Sequence, residues 1–386
     1  MIIPNYKQKN IVNLTSSILS SLGVKSQYAK LKGLSSTNLE KRENIVLIVL
    51  DGLGYEWLVN RAPNSFMGKN LKEKLGSVFP STTAAAIPMF MTGFPAQQHA
   101  LTGWTVFFKE IGAMVNVLPS MPTMGGNTFS DYGAHPDELY NFTSLFKNIK
   151  RDYYVVTKKG LLSSDFNSKV TSKSKNLVYS DGSVNHLFRK IKKAIKTKGK
   201  KYVYAYWPFY DMLCHHHGPK SKEVMKHFID FDRKLMKFIS TIDLNNTTVL
   251  LTADHGFVQT SKSKEIYVKD HPKLKECLTM PLCGENRVTY AYVKPSKTKD
   301  FEKYMKTKLS SYCNIIKSDL AIKKNYFGLF KANPKLKDRI GDYIIIMKEN
   351  YVLKDYLINK KSPGFVGQHA GVSKEEMFVP LVIFDE

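Results

Sequence analysis

Asn44–Gly54 reads N-I-V-L-I-V-L-D-G-L-G. The aliphatic run has strand length, charge before it and a turn signal behind it, and it shows no polar alternation. Such a run suits a central parallel strand buried on both faces. Asp51 then stands at the carboxyl end of a buried strand, where open α/β sheets place their ligand sites. A D-G pair also serves as a plain turn, so Asp51 acquires meaning only through partners elsewhere in the chain.

The same arrangement recurs. Lys201–Trp207 reads as a second buried strand and runs into P-F-Y-D-M-L-C-H-H-H-G-P, residues 208–219. There Asp211 precedes His215 by four residues, so one helical turn stacks both on a single face at a spacing suited to metal ligands. Thr247–Thr252 is a third apolar run, followed by A-D-H-G with Asp254 and His255 adjacent. A strand near Tyr153–Thr157 is flanked by helices expected over Pro136–Lys147 and Val184–Thr197. Ser221–Ile242 is a long amphipathic helix, and Ile11–Leu22 a shorter one that packs on the core. Strands alternating with helices predict an α/β protein with a doubly wound, mostly parallel sheet flanked by helices.

The pattern changes after Gly256. Arg287–Val293 and Asp342–Met347 read as strands and Asp300–Leu309 as a helix, so residues 262–362 are expected to form a small inserted α+β cap. The core would comprise 1–261 and 363–386. The chain returns through G-F-V-G-Q-H-A-G, which carries His369 in a glycine-flanked loop before a final buried strand. Residues 101–130 read as loop-rich, and Trp104 and Phe107 are candidates to line a pocket.

The 386 residues are 43% hydrophobic and 24% charged, which places the chain among globular proteins. Lys+Arg 58 against Asp+Glu 33 leaves a net charge of +25, a field that attracts anions. The excess is scattered lysine without interleaved aromatics or a nucleic-acid motif, so nucleic acid is not expected as a dedicated partner. Cys214, Cys277, Cys283 and Cys313 form no C-x-x-C pair. With no signal-peptide pattern and no window of eighteen apolar residues, a cytoplasmic location without a membrane span is expected. Oligomeric state leaves no signal.

Between Gly76 and Gly93 stands G-S-V-F-P-S-T-T-A-A-A-I-P-M-F-M-T-G. Pro80, Ser81 and Thr82 resemble a helix start, and a hydroxyl in that first turn faces the positive end of the helix dipole, which favours an alkoxide and a bound phosphate. The loops together offer three carboxylates (Asp51, Asp211, Asp254), three imidazoles (His215, His255, His369) and the hydroxyl of Thr83. This inventory can fill two divalent sites of mixed N/O character, in the range of zinc, with manganese or iron as alternatives. Two metals ~4 Å apart can hold both oxygens of an in-line displacement at phosphorus.

D-G-L-G, P-S-T-T, the 208–219 stretch, A-D-H-G and G-Q-H-A-G-V-S-K-E-E-M-F-V-P follow one another in the order found in the alkaline phosphatase superfamily. Within it the chain resembles the type I phosphodiesterase/nucleotide pyrophosphatase family, from about Asn44 to Phe384. The resemblance implies a two-metal hydrolase with Thr83 as nucleophile and a phosphothreonine intermediate. It puts Asp211, His215 and His369 on one ion, and Asp51, Asp254, His255 and Thr83 on the other. Zinc is the ion implied first and manganese second; the implied substrate is a small-molecule phosphate ester such as a nucleotide. A phosphomonoesterase or phosphonate hydrolase of the same superfamily is the alternative. From another class, a nucleic-acid-binding or inactive relative is weighed, but an inactive relative should have lost a ligand and here none is missing. Two positions depart from the family pattern. Trp104 stands where an Asn usually donates to a phosphoryl oxygen, leaving Asn116 or Asn127 to supply that bond, and Ala84 follows the nucleophile in place of Phe.

Overall fold

In the computed structural model, which describes every residue except 35, 135, 141, 173, 180–181, 356–363 and 386, Asn44–Leu50 is buried at every position. It is the middle strand of a seven-stranded sheet ordered 71–76, 378–384, 247–252, 44–50, 201–207, 152–158 and 175–179. Asn44–Leu50 runs parallel to both neighbours, Asn44 pairing with Lys201 on one side and Thr247 on the other. Asp152–Lys158 continues the parallel set, whereas Phe378–Phe384 is antiparallel to its partners. The three adjacent central strands therefore end side by side, and Asp51, Asp211 and Asp254 follow those ends.

Helices cover both faces because successive strand residues point to opposite sides. Tyr204 meets Phe90 of the Thr83–Thr92 helix on one face. Trp207, three residues on, meets Phe231 of the Lys222–Ile239 helix on the other. Phe188 of the Val184–Ile195 helix stacks on Phe238, ring centroids 4.9 Å apart. The chain is thus an α/β protein built on a large, mostly parallel sheet flanked by helices.

A second seven-stranded sheet, antiparallel wherever its strands pair, lies beside it, in the order 313–317, 343–347, 288–291, 283–284, 105–108, 113–116 and 121–122. Residues 101–130 accordingly differ from the expected loop-rich stretch: Thr105–Phe108, Ala113–Asn116 and Met121–Pro122 are strands that join residues of the expected cap through Gly284 and Thr105. The pairing is long-range, which local sequence does not record. The expected Pro136–Lys147 helix is also broken, into Pro136–Leu139 and a 3₁₀ turn Leu145–Asn148. The intervening N-F-T-S run has poor helix propensity, and Ser144 instead donates to the Val170 carbonyl. The expected cap boundary at 362 falls outside the described residues.

Candidate active site

Thr83 opens a ten-residue helix whose preceding residue, Thr82, makes no side-chain cap. Thr82 Oγ1 instead donates to Glu285 Oε1 at 2.6 Å. Ala85 N–H and Ala86 N–H both bond the Thr82 carbonyl, and the positive end of the helix dipole lies at Thr83. Thr83 Oγ1 is 3.0 Å from His255 Nε2.

That imidazole nitrogen is the hub of the site. It lies 3.5 Å from Asp51 Oδ1, 3.5 Å from Asp254 Oδ2 and 4.0 Å from Asp211 Oδ1. His215 Nε2 is 3.5 Å from Asp211 Oδ1, the helical spacing having stacked the two side chains. His369 stacks on His255 with ring centroids 3.9 Å apart and stands 5.0 Å from His215. Asp51, Asp254 and His255 form one group, and Asp211, His255 and His369 another, with ligand atoms in each within 4.8 Å of one another. All seven residues expected at the site are brought together. His255 stands between the two groups, whereas the resemblance assigned it to one ion alone.

Neighbouring groups hold these side chains in orientation. The Nδ1 atoms of His215 and His255 lie 3.0 Å from the Gly367 carbonyl and 3.1 Å from the Gly256 carbonyl, which leaves each Nε2 as a lone pair facing the carboxylates. Gly52 N–H and His255 N–H each donate to Asp254 Oδ1 at 3.0 Å. The Tyr206 hydroxyl donates to Asp51 Oδ2. Gly52 has φ +81, and a Cβ there would come within 2.6 Å of the Phe257 ring, so the D-G turn requires glycine. Arg287 grips the buried Glu376 carboxylate through Nε at 2.5 Å and Nη2 at 2.8 Å, and Gly371 N–H donates to the same carboxylate. This pair ties the second sheet to the loop that carries His369.

Burial, then the neighbouring Asp211 and Asp254, pushes the Asp51 carboxyl well above its usual range, and burial with Asp254 and Glu285 does the same to Asp211. Burial drives His215 down to about 4 and, with His255 and His215 beside it, His369 well below the ordinary imidazole value. Carboxylates crowded beside neutral imidazoles form a site suited to cations. Asp51 Oδ1, Asp211 Oδ1, Asp254 Oδ2 and His369 Nδ1 are buried with no hydrogen-bond partner among the described residues. The orphaned oxygens and the N/O donor set fit divalent cations.

Two cavities open at Thr83. One, of about 610 Å³, is lined by Trp104, Asn116, Glu285, Gln368 and His216 among others. The second, of about 500 Å³, extends along the Thr83–Thr92 helix toward Leu118, Leu161 and Phe166. Phe107, expected at the pocket, lines neither: it lies two residues beyond Thr105 on its strand, and its ring packs on Tyr292 at 5.5 Å. Asn127 is exposed and also lines neither. Glu285 was not legible in the sequence, since it sits in a C-G-E-N turn with no motif around it. In the Asn slot itself, the Trp104 backbone N–H is engaged by Glu285 Oε1 at 2.7 Å.

Solved structures share this fold. Murine ectonucleotide pyrophosphatase/phosphodiesterase 5 superposes with a TM-score of 0.66 at 16% identity, covering 89% of this chain and 88% of that one. An inactive form of the murine protein in complex with AMP gives 0.64 at 17% identity, over 87% of each chain. Phosphonoacetate hydrolase from Sinorhizobium meliloti 1021, in complex with phosphonoformate, gives 0.63 at 18% identity, covering 89% and 90%. Among curated protein sequences, none matches. The family model of type I phosphodiesterase/nucleotide pyrophosphatase matches residues 45–371, and the chain belongs to that family of phosphoester hydrolases.

Proposed function

We propose that the protein is a metal-dependent phosphodiester hydrolase in which Thr83 is the nucleophile. The observation that carries this reading is the position of Thr83 Oγ1, 3.0 Å from His255 Nε2 at the open end of a helix, among three carboxylates and three imidazoles. Asp211, His215 and His369 would hold one divalent ion and Asp51, Asp254, His255 and Thr83 the other, zinc being the ion best matched to the donors. When bound, the ions supply positive charge that lowers the pKa of the hydroxyl and offsets charge on the phosphoryl oxygens.

The positive end of the helix dipole at Thr83 favours a phosphoryl oxygen in front of the nucleophile. Thr83 Oγ1 attacks phosphorus, the bond to the leaving ester oxygen breaks, and a phosphothreonine results. Attack of water on that phosphorus releases the product and restores the hydroxyl. Neither cavity is lined by Lys or Arg among the described residues. A dianionic monoester, or a phosphonate with an added carboxylate, would find no bidentate clamp for its extra charge, which favours the diester. Nucleotides, by analogy with the AMP complex of the murine relative, belong in the same substrate panel.

The test is turnover of an aryl phosphodiester, an aryl phosphomonoester and nucleotides with zinc or manganese. Thr83→Ala is expected to lower diester turnover by at least about a thousandfold, with metal content measured on the same sample. Full activity in Thr83→Ala, or an active wild type free of metal, would refute the mechanism.

A further inference from the structure

The cavity of about 500 Å³ is not needed to hold a metal ligand or a phosphoryl group, yet it opens at the nucleophile. Thr83, Trp104, Asp211 and Met212 line both this cavity and the 610 Å³ one, so the two meet where phosphorus must sit. Away from Thr83 the second cavity is walled by Ile87, Met91, Leu118, Leu161 and Phe166, with the neutral side chains of Thr128, Ser163 and Asn167 among its polar lining, and its carboxylates, Asp51 and Asp211, are those of the site itself. The first cavity differs in character, for Asn116, Glu285, Asn286, Asp355 and Gln368 line it.

Tetrahedral phosphorus in a diester sends two ester arms in different directions, and two cavities that meet at the nucleophile match that shape. A monoester would leave one of them unfilled.

We infer that this second cavity binds one arm of the substrate and that the arm is an uncharged alkyl or aryl group, so that the substrate class is a mixed phosphodiester of an apolar and a polar alcohol. The inference rests on the reading of Thr83 as the nucleophile of a diesterase. An anionic arm would be placed beside Asp51 and Asp211 with no Lys or Arg among the described lining residues to pair it, whereas each methylene withdrawn from water against Ile87, Leu118, Leu161 and Phe166 favours binding.

The experiment uses the full chain loaded with zinc and a series of p-nitrophenyl alkyl phosphodiesters, from methyl through butyl to octyl. kcat/KM is expected to rise by up to about fourfold per methylene, then level off as the cavity fills. Leu161→Trp and Leu118→Trp, with folding checked by thermal melting, should flatten the octyl-to-methyl ratio whatever the methyl rate becomes. A flat series in the wild type, with the methyl ester still hydrolysed, overturns the apolar arm alone. An undiminished octyl-to-methyl ratio in both folded variants moves the arm elsewhere and also overturns the assignment. Absence of turnover for every ester overturns the diesterase reading and the inference with it.

Discussion

Glu285 is the residue at which this chain's own character enters the site. Its carboxylate accepts from Thr82 Oγ1 and from the Trp104 N–H, two donors beside the nucleophile that a phosphoryl oxygen could otherwise use. Burial pushes its carboxyl up to about 7. Because that value is raised, the group is neutral below pH 7 and negative above it, so the charge facing an anionic diester grows as pH rises through 7. The expected outcome is a KM for an aryl methyl phosphodiester that increases several-fold between pH 6 and 8.5, a limb that Glu285→Gln removes. A KM profile identical in both proteins would show that the carboxyl does not sense the substrate. Trp104, read from the sequence as a replacement for an asparagine, contributes its backbone rather than its indole to this network.

At the scale of elements, the Phe209–His217 helix and the Gly367–Gln368 strand form one half of the site by direct contact. A Cβ on Gly367 would stand 2.1 Å from the Cys214 carbonyl oxygen, so only glycine lets the His369 loop lie against the helix that carries Asp211 and His215. Gly367→Ala should push the loop outward and detach His369. Zinc stoichiometry measured on the purified variant should fall from two towards one, with a stability loss of about 1–3 kcal/mol in urea unfolding, as overpacking costs. Two tightly bound zinc ions in the variant would remove that role from the glycine. Gly256 faces a similar constraint, since its Cβ would meet the Glu375 carbonyl at 2.0 Å.

Across the whole molecule, the central strands converge on a buried set of carboxylates that repel one another. Asp51 and Asp211 both show the effect, with burial the larger cause. Binding of divalent ions to the folded state alone should therefore stabilise the protein, by about 2.7 kcal/mol per site at a free concentration one hundred times Kd. Dialysis against a chelator is expected to lower Tm by several degrees, and zinc added back should restore it. A Tm indifferent to both treatments would argue against ions at these carboxylates. Among the described residues no helix is long and apolar enough to cross a membrane, and the four cysteines are free and buried.

Much of this arrangement could be read from the chain alone, because it is local. The run of aliphatic residues at 44–50 needs no partner to declare itself a buried strand, and Asp211 with His215 needs only the pitch of a helix. Acids and imidazoles placed just after buried strands point to a common edge, since parallel strands end together. Tertiary structure alone decided the rest. The pairing of Thr105 with Gly284 joins segments nearly 180 residues apart. That join brings Glu285 to Thr82 and makes one wall of the larger cavity. The second cavity arises from packing between the Thr83–Thr92 helix and residues 118–167, with no motif to mark it. The physical reason is one of range: periodicity and capping are encoded within a few residues, while the register of distant strands and the shape of the space between elements depend on the burial of the whole chain.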